Sequence, residues 1–212
     1  MQLELRYIAD LSDDVELKSR WYATMARFRG YIAATNKKGL GLYPISILES
    51  GNLTSLQTSK SRYFYDYLAK SYLQSNGTDT KAATMFRQAM VVAAQNGLFA
   101  RSNKSELYYV RDANTTVADS PILYQEMKSE GCALGAVLSL ADRVPMLLNG
   151  SQPFKSNSSF SWTDLAKAIT KTCHIAAIST KTGMLPRLFH FAQAHGVPEA
   201  IPDFMGSLSQ LG

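Results

Sequence analysis

Glu4 lies in the run Leu3-Glu4-Leu5-Arg6-Tyr7-Ile8, a carboxylate on an otherwise apolar stretch of helical spacing. A carboxyl group so placed is either a paired or capped charge of the fold or a group that touches a ligand. In the second case it can take or give a proton. Arg62 opens a second run, Arg62–Leu73, in which Tyr63, Phe64, Tyr65, Tyr67 and Tyr72 follow closely. Aromatic faces stack on sugars, but rings at this spacing are read first as the wall of a core. An arginine at the head of such a run offers only donors and stays protonated in proteins. Other chemistries lack their residues. His190 and His195 are five apart, with His174 remote, so the helical i,i+4 metal spacing is absent. No G-x-S-x-G nucleophile elbow occurs, and Gly39-Leu40-Gly41 is a turn rather than a phosphate loop.

The 212 residues allow one sizeable core or part of a larger one. A 46% hydrophobic and 18% charged composition is that of a folded globular chain. The net charge of +5 is scattered, and its longest basic cluster is Asn36–Gly39, which excludes a nucleic-acid tract. No apolar run reaches the ~18–20 residues of a membrane span. The residues after Met1 read as helix and not as a secretory signal, so the chain is expected to begin inside an element, as a fragment would. Six of the eight asparagines, Asn52, Asn76, Asn103, Asn114, Asn149 and Asn157, stand in N-x-S/T triplets. All six fall in segments read as turns or loops, which points to glycosylation and a secretory-pathway lumen, endoplasmic reticulum or Golgi. The two cysteines, Cys132 and Cys173, could pair there or remain as free thiols.

The elements that must position these residues recur in a cycle. Leu3, Tyr7, Ile8 and Leu11 predict a first helix, stopped by the capping residues of Leu11-Ser12-Asp13-Asp14. A second helix runs to about Thr35, with Trp21, Met25, Phe28 and Ile32 on one face. A hairpin is expected in 42–56. Helices at Tyr63–Gln74 and Thr80–Asn96 follow, the second with Ala83, Phe86, Met90 and Ala93 as its apolar face. A hairpin in 98–113 turns at Asn103–Lys104. A third cycle gives helices at Gly131–Leu148 and Thr163–Ser179 around a polar loop. Helix pair and hairpin repeat roughly every 60–70 residues, a period longer than that of common solenoids, and such units bury their faces only against neighbours.

Five short patterns in these repeats resemble glycoside hydrolase family 47, the class I α-1,2-mannosidases that trim N-linked oligosaccharides. They are LELRYIADLS at Leu3–Ser12, GLYPISILESGNL at Gly41–Leu53, RYFYDYLAK at Arg62–Lys70, MKSEGCALGAVLSL at Met127–Leu140 and TKTCHIAAISTKTGMLPRLFHF at Thr170–Phe191. The resemblance implies a mostly α fold, a partial (α/α)7 barrel of about three helix pairs with β-hairpins on one face. Residues 1–212 would then be one segment of that catalytic barrel, lacking its N- and C-terminal parts. It implies a Cys132–Cys173 disulfide, a high-mannose N-glycan or glycoprotein as partner, and calcium as cofactor. The family's first catalytic glutamate is expected before Met1 and its calcium-holding threonine after Gly212.

The family inverts its substrate's anomeric centre with one carboxylic acid and one carboxylate. Glu4 stands at a pocket glutamate of the family and is expected to touch substrate. Arg62 stands at a pocket aspartate, Ser129 at a histidine and Arg187 at a glutamate, so no catalytic position present in this chain is intact. Asp66, one helical turn beyond Arg62, matches the pattern's own second acid. The expectation is a mannosidase homologue that does not turn over by itself; the alternative is a pseudoenzyme that binds mannose or glycoprotein without cleavage.

Overall fold

The computed structural model describes residues 2–34, 42–43, 62–102, 105–111, 126–128, 130–140, 145–148, 151–154, 160–178, 180, 188–190 and 199–200. At residues 2, 62–63, 126–128, 130, 145–146, 188–190 and 199–200 the description is of the backbone. The described residues are mostly helical, and the chain divides into two compact units, Met1–Val92 and Ala93–Gly212.

The first unit opens with α1 (Gln2–Leu11) and α2 (Val15–Ala34), which pack on each other. Asp14 sets the start of α2: its Oδ1 accepts from the backbone N–H groups of Glu16 (2.9 Å) and Leu17 (3.0 Å). Those donors have no partner within the helix, and a side-chain cap of this kind typically stabilises by about 1 kcal/mol. Next comes α3 (Arg62–Gln74), closed by a left-handed residue, Asn76, at φ 52°. Gly77 N–H bonds the Tyr72 carbonyl (3.0 Å) and Asn76 N–H bonds that of Leu73 (2.9 Å). That pair of bonds is the Schellman closure, in which asparagine or glycine is the residue that tolerates positive φ. The next helix, α4 (Thr80–Gln95), closes the same way on Gly97 at φ 66°, with Leu98 N–H on Ala93 and Gly97 N–H on Ala94.

The apolar face expected on α4 is buried: Ala83, Phe86, Met90 and Ala93 are all within the core, joined by Ala82, Met85 and Ala89. The face expected on α1 is not the buried one: Tyr7, Ile8 and Leu11 are 60%, 48% and 65% exposed, whereas Ala9 is buried. Of the face expected on α2, Met25 is buried and Trp21 and Ile32 are half-buried, while Phe28 is 55% exposed. Arg6 of α1 and Arg29 of α2, both largely buried, reach the same carboxylate, Asp79.

In the second unit, strands β1 (Phe99–Arg101) and β2 (Tyr108–Val110) form the antiparallel hairpin that the alternation in 98–113 suggested, with Ala100 opposite Tyr109. The turn itself, at Asn103–Lys104, lies outside the described residues, as does all of the earlier hairpin except Leu42 and Tyr43. Strand β3 (Glu126–Lys128) leads into α5 (Glu130–Leu138). The long helix expected over Gly131–Leu148 is instead α5 and a separate short helix, α6 (Pro145–Leu148). Pro145 has no N–H for a helical bond and clashes with the preceding turn, but it suits a first helical position, where it stands.

Helix α7 (Trp162–Ile178) starts in a reciprocal capping box. Asp164 N–H donates to Ser161 Oγ (3.1 Å), and Ser161 N–H donates to Asp164 Oδ2 (3.0 Å). These bonds from Ser161 hold the Asp164 carboxyl below its usual range. The ring of Trp162 meets Phe99 edge-on at 5.7 Å and its Nε1 donates to the Ser151 carbonyl at 2.9 Å. Strands β4 (Leu188–His190) and β5 (Glu199–Ala200) complete a three-stranded antiparallel sheet, β3-β4-β5, that the sequence pattern did not indicate.

Helices α5 and α7 pack closely and are joined by Cys132–Cys173, with Cα atoms 5.9 Å apart. Gly135 permits that approach, because a Cβ added there would lie 2.6 Å from Ile169 Cγ2. Gly135→Ala is therefore expected to destabilise the fold by about 1–3 kcal/mol through overpacking. Urea unfolding of Gly135→Ala, Ile169→Ala and the double variant checks this: the double variant should lose clearly less than the sum of the two single losses. Additive losses would place the strain elsewhere.

Candidate functional site

Glu4, the expected substrate contact, is exposed on α1. The hydroxyl of Tyr67 on α3 donates to its Oε1 at 3.3 Å, and the Glu4 charge pushes the Tyr67 phenol above its usual value. A second tie joins the same helices, from Gln74 Nε2 to the Leu3 carbonyl at 3.0 Å. The aromatic run of α3 separates by depth. Tyr65 and Tyr72 are core residues, with the Tyr65 hydroxyl accepting the backbone N–H of Tyr43 at 3.0 Å, while Tyr67 is half-buried beside Glu4.

Arg62 is the first residue of α3, with its side chain outside the described residues. Asp66, one turn on, is buried. Its Oδ2 accepts from Lys70 Nζ at 2.6 Å, across one helical turn, while the buried Oδ1 has no hydrogen-bond partner among the described residues. An unmet buried carboxylate oxygen is costly, so Asp66 is the described residue in this region most in want of a further donor. Ser129 and Arg187 lie outside the described residues, as do Asn52, Asn103, Asn114, Asn149 and Asn157. Asn76 is described and exposed at the left-handed turn after α3. The structure thus brings Glu4 and Tyr67 together, and it joins Cys132 to Cys173.

Beneath this surface is a network that no sequence motif singled out. Arg29 Nη1 donates to Asp79 Oδ1 at 2.6 Å and Arg6 Nη2 donates to Asp79 Oδ2 at 3.0 Å. Ser71 Oγ donates to Asp79 Oδ2 at 2.9 Å and accepts from Arg29 Nη2 at 3.0 Å. Asp79 also caps α4 by accepting the Ala82 N–H at 3.1 Å. Four helices therefore meet on one carboxylate. Burial by itself would raise the Asp79 carboxyl, but the bond and charge of Arg29, with the Ala82 and Ser71 donors, outweigh it and hold the group below the usual carboxylate range. The aspartate of Asn76-Gly77-Thr78-Asp79 is legible as a helix cap; its partners 50 and 73 residues away are not.

A calcium ion takes six to eight oxygen ligands. Among the described residues, no three His, Cys, Asp or Glu side chains converge as a metal would require, so they do not form a cradle for it. Among those residues, too, no helix is long and apolar enough to cross a membrane.

The description Glycosyl hydrolase family 47 matches residues 1–205, nearly the whole chain. The chain belongs to that family. It is 27% identical over 198 residues to mannosyl-oligosaccharide alpha-1,2-mannosidase IA of Spodoptera frugiperda, covering 92% of this chain and 27% of that protein. It is 26% identical over 195 residues to mannosyl-oligosaccharide 1,2-alpha-mannosidase IC of Homo sapiens, covering 90% of this chain and 28% of that one. A Candida albicans mannosyl-oligosaccharide 1,2-alpha-mannosidase matches at 26% identity over 199 residues, 90% of this chain and 34% of its own length. The chain thus spans roughly a quarter to a third of these relatives and is a mannosidase-like member of family 47 over that span.

The Asp79 network generates a pH prediction with a definite sign. A carboxyl depressed in the folded state contributes stability that is complete above its unfolded value, about 3.9, and is lost as pH falls through the lower folded value. Asp79→Asn should cost roughly 3–5 kcal/mol near neutral pH, since it leaves buried guanidiniums facing a neutral amide. It should also flatten the acid limb of stability below about pH 4. Denaturant midpoints from pH 2 to 7 for both proteins check this; an equally steep acid limb in Asp79→Asn contradicts it.

Proposed function

We propose that this chain is one segment of a family 47 (α/α)7 catalytic barrel, about three of its helix pairs, and that it does not hydrolyse mannosides by itself. The observation that carries the reading is the family match over residues 1–205 combined with arginine at two positions where the family's pattern has acids, Arg62 and Arg187. Inverting hydrolysis needs one carboxylic acid to protonate the leaving oxygen and one carboxylate to activate water. A guanidinium can do neither, because it is always protonated and has only donors. Ser129 in place of a histidine removes a further ring nitrogen. Calcium, when bound in this family, coordinates sugar hydroxyls; the described residues give it no cradle, and no step here passes through it.

The relatives' names specify α-1,2-linked mannose on oligosaccharides, and this is the ligand class proposed here, in a secretory-pathway lumen. Binding without cleavage is the second reading, favoured by Glu4: an exposed carboxylate oriented by the Tyr67 hydroxyl is a hydrogen-bond acceptor for sugar hydroxyls that survives the loss of the catalytic acids. The six N-x-S/T asparagines are proposed glycan sites, with Asn76 the exposed described member.

The full chain, made in a secretory host with calcium present, should release no mannose from an α-1,2-linked mannobiose or a high-mannose oligosaccharide. Chromatography on immobilised mannose distinguishes the two readings: retention that falls in Glu4→Gln supports binding, and flow-through leaves the inactive segment alone. Measurable turnover by this chain overturns both.

A further inference from the structure

The first unit contains a cavity of about 450 Å3 at the Asp79 network, with Arg6, Arg29, Asp79, Tyr22, Ala26 and Thr78 in its wall. Its described charged lining is two guanidiniums and one carboxylate, a surplus of one positive charge. The surplus is poorly hydrated: the side chains of Arg6 and Arg29 are 13% and 9% exposed, and that of Asp79 is 7% exposed. Charge taken from water is costly unless matched by an opposite charge with good hydrogen bonds.

Asp79 carries one negative charge against two positive ones, and its two oxygens already accept from Arg29, Arg6, Ser71 and the Ala82 amide. Arg29 gives Nη1 to Asp79 and Nη2 to Ser71, so among the described bonds Arg6, which gives Nη2 to Asp79, has more of its fork left for the cavity. Arg6 also lies over the Tyr22 ring at 5.7 Å, and both residues line the cavity. The nearby hydroxyls do not compete as counter-charges. Tyr22 donates to Asp10 and Thr78 donates to the Ser75 carbonyl.

We propose that this cavity is a site for a small tetrahedral oxyanion of the phosphate type, free or as a monoester, held chiefly by the Arg6 guanidinium. A planar fork of N–H donors suits such an anion. The site is separate from the proposed mannose surface at Glu4 and does not depend on it.

Calorimetric titration and thermal melts of the full chain with sodium phosphate, against sodium chloride at equal ionic strength, test the proposal. Phosphate should bind saturably and raise the melting temperature as a ligand of the folded state does. Arg6→Gln should weaken phosphate by at least about tenfold, as loss of a charged fork contact does. Ala26→Glu, which brings a carboxylate to the cavity wall, should raise the melting temperature without phosphate and abolish the phosphate response; it keeps the test decisive if Arg6→Gln does not fold. A hexose phosphate that binds more tightly than phosphate, while the free hexose does nothing, assigns the anion to an ester; equal binding assigns it to free phosphate. Equal shifts by chloride and phosphate, or a phosphate response unchanged in Ala26→Glu, overturn the site.

Discussion

One carboxylate organises the first unit. Asp79 ends the turn after α3, caps α4, and receives a guanidinium from each of α1 and α2. These bonds are made by side chains that are less than about a seventh exposed, so they hold geometry far better than surface ion pairs do. Everything proposed about the mannose surface lies on helices fixed by this contact. Glu4 is on α1, two residues before Arg6; Asp66 and Tyr67 are on α3, within two turns of Ser71.

The second unit is held differently, by shape and a covalent link. Helices α5 and α7 come close because Gly135 has no side chain opposite Ile169, and Cys132–Cys173 then closes a separation of 41 residues. A cross-link over such a loop typically stabilises by about 2–4 kcal/mol. The family's patterns around both cysteines thus encode a packing contact as well as a bond. A side chain at position 135 would meet the neighbouring helix, so the contact sets a limit on what that position can hold.

Local interactions were legible in the residues and distant ones were not. The cap at Asp14, the α4 face of Ala83, Phe86, Met90 and Ala93, and the β1–β2 hairpin all rest on neighbours in sequence, and each is where its pattern put it. The break before Pro145 was also readable, since proline cannot continue a helix, but the apolar run around it suggested one element. The sheet β3-β4-β5 pairs Met127 with Phe189, and nothing in either three-residue strand announces the other. The contacts of Arg6 and Arg29 with Asp79 join residues 73 and 50 apart, and hydrophobic periodicity does not see them. At the site, Glu4 was singled out by type and position, whereas its partner Tyr67, 63 residues on, was read only as part of an aromatic wall.

The claim that one buried carboxylate fixes the register of four helices is tested most directly by hydrogen exchange on Asp79→Ala. If the claim holds, amide protection falls together across α1, α2, α3 and the first turns of α4, while α5 and α7 keep theirs. Loss confined to the amides of Thr80–Ala83 would mean that Asp79 is a helix cap alone, and the account of the first unit would be wrong.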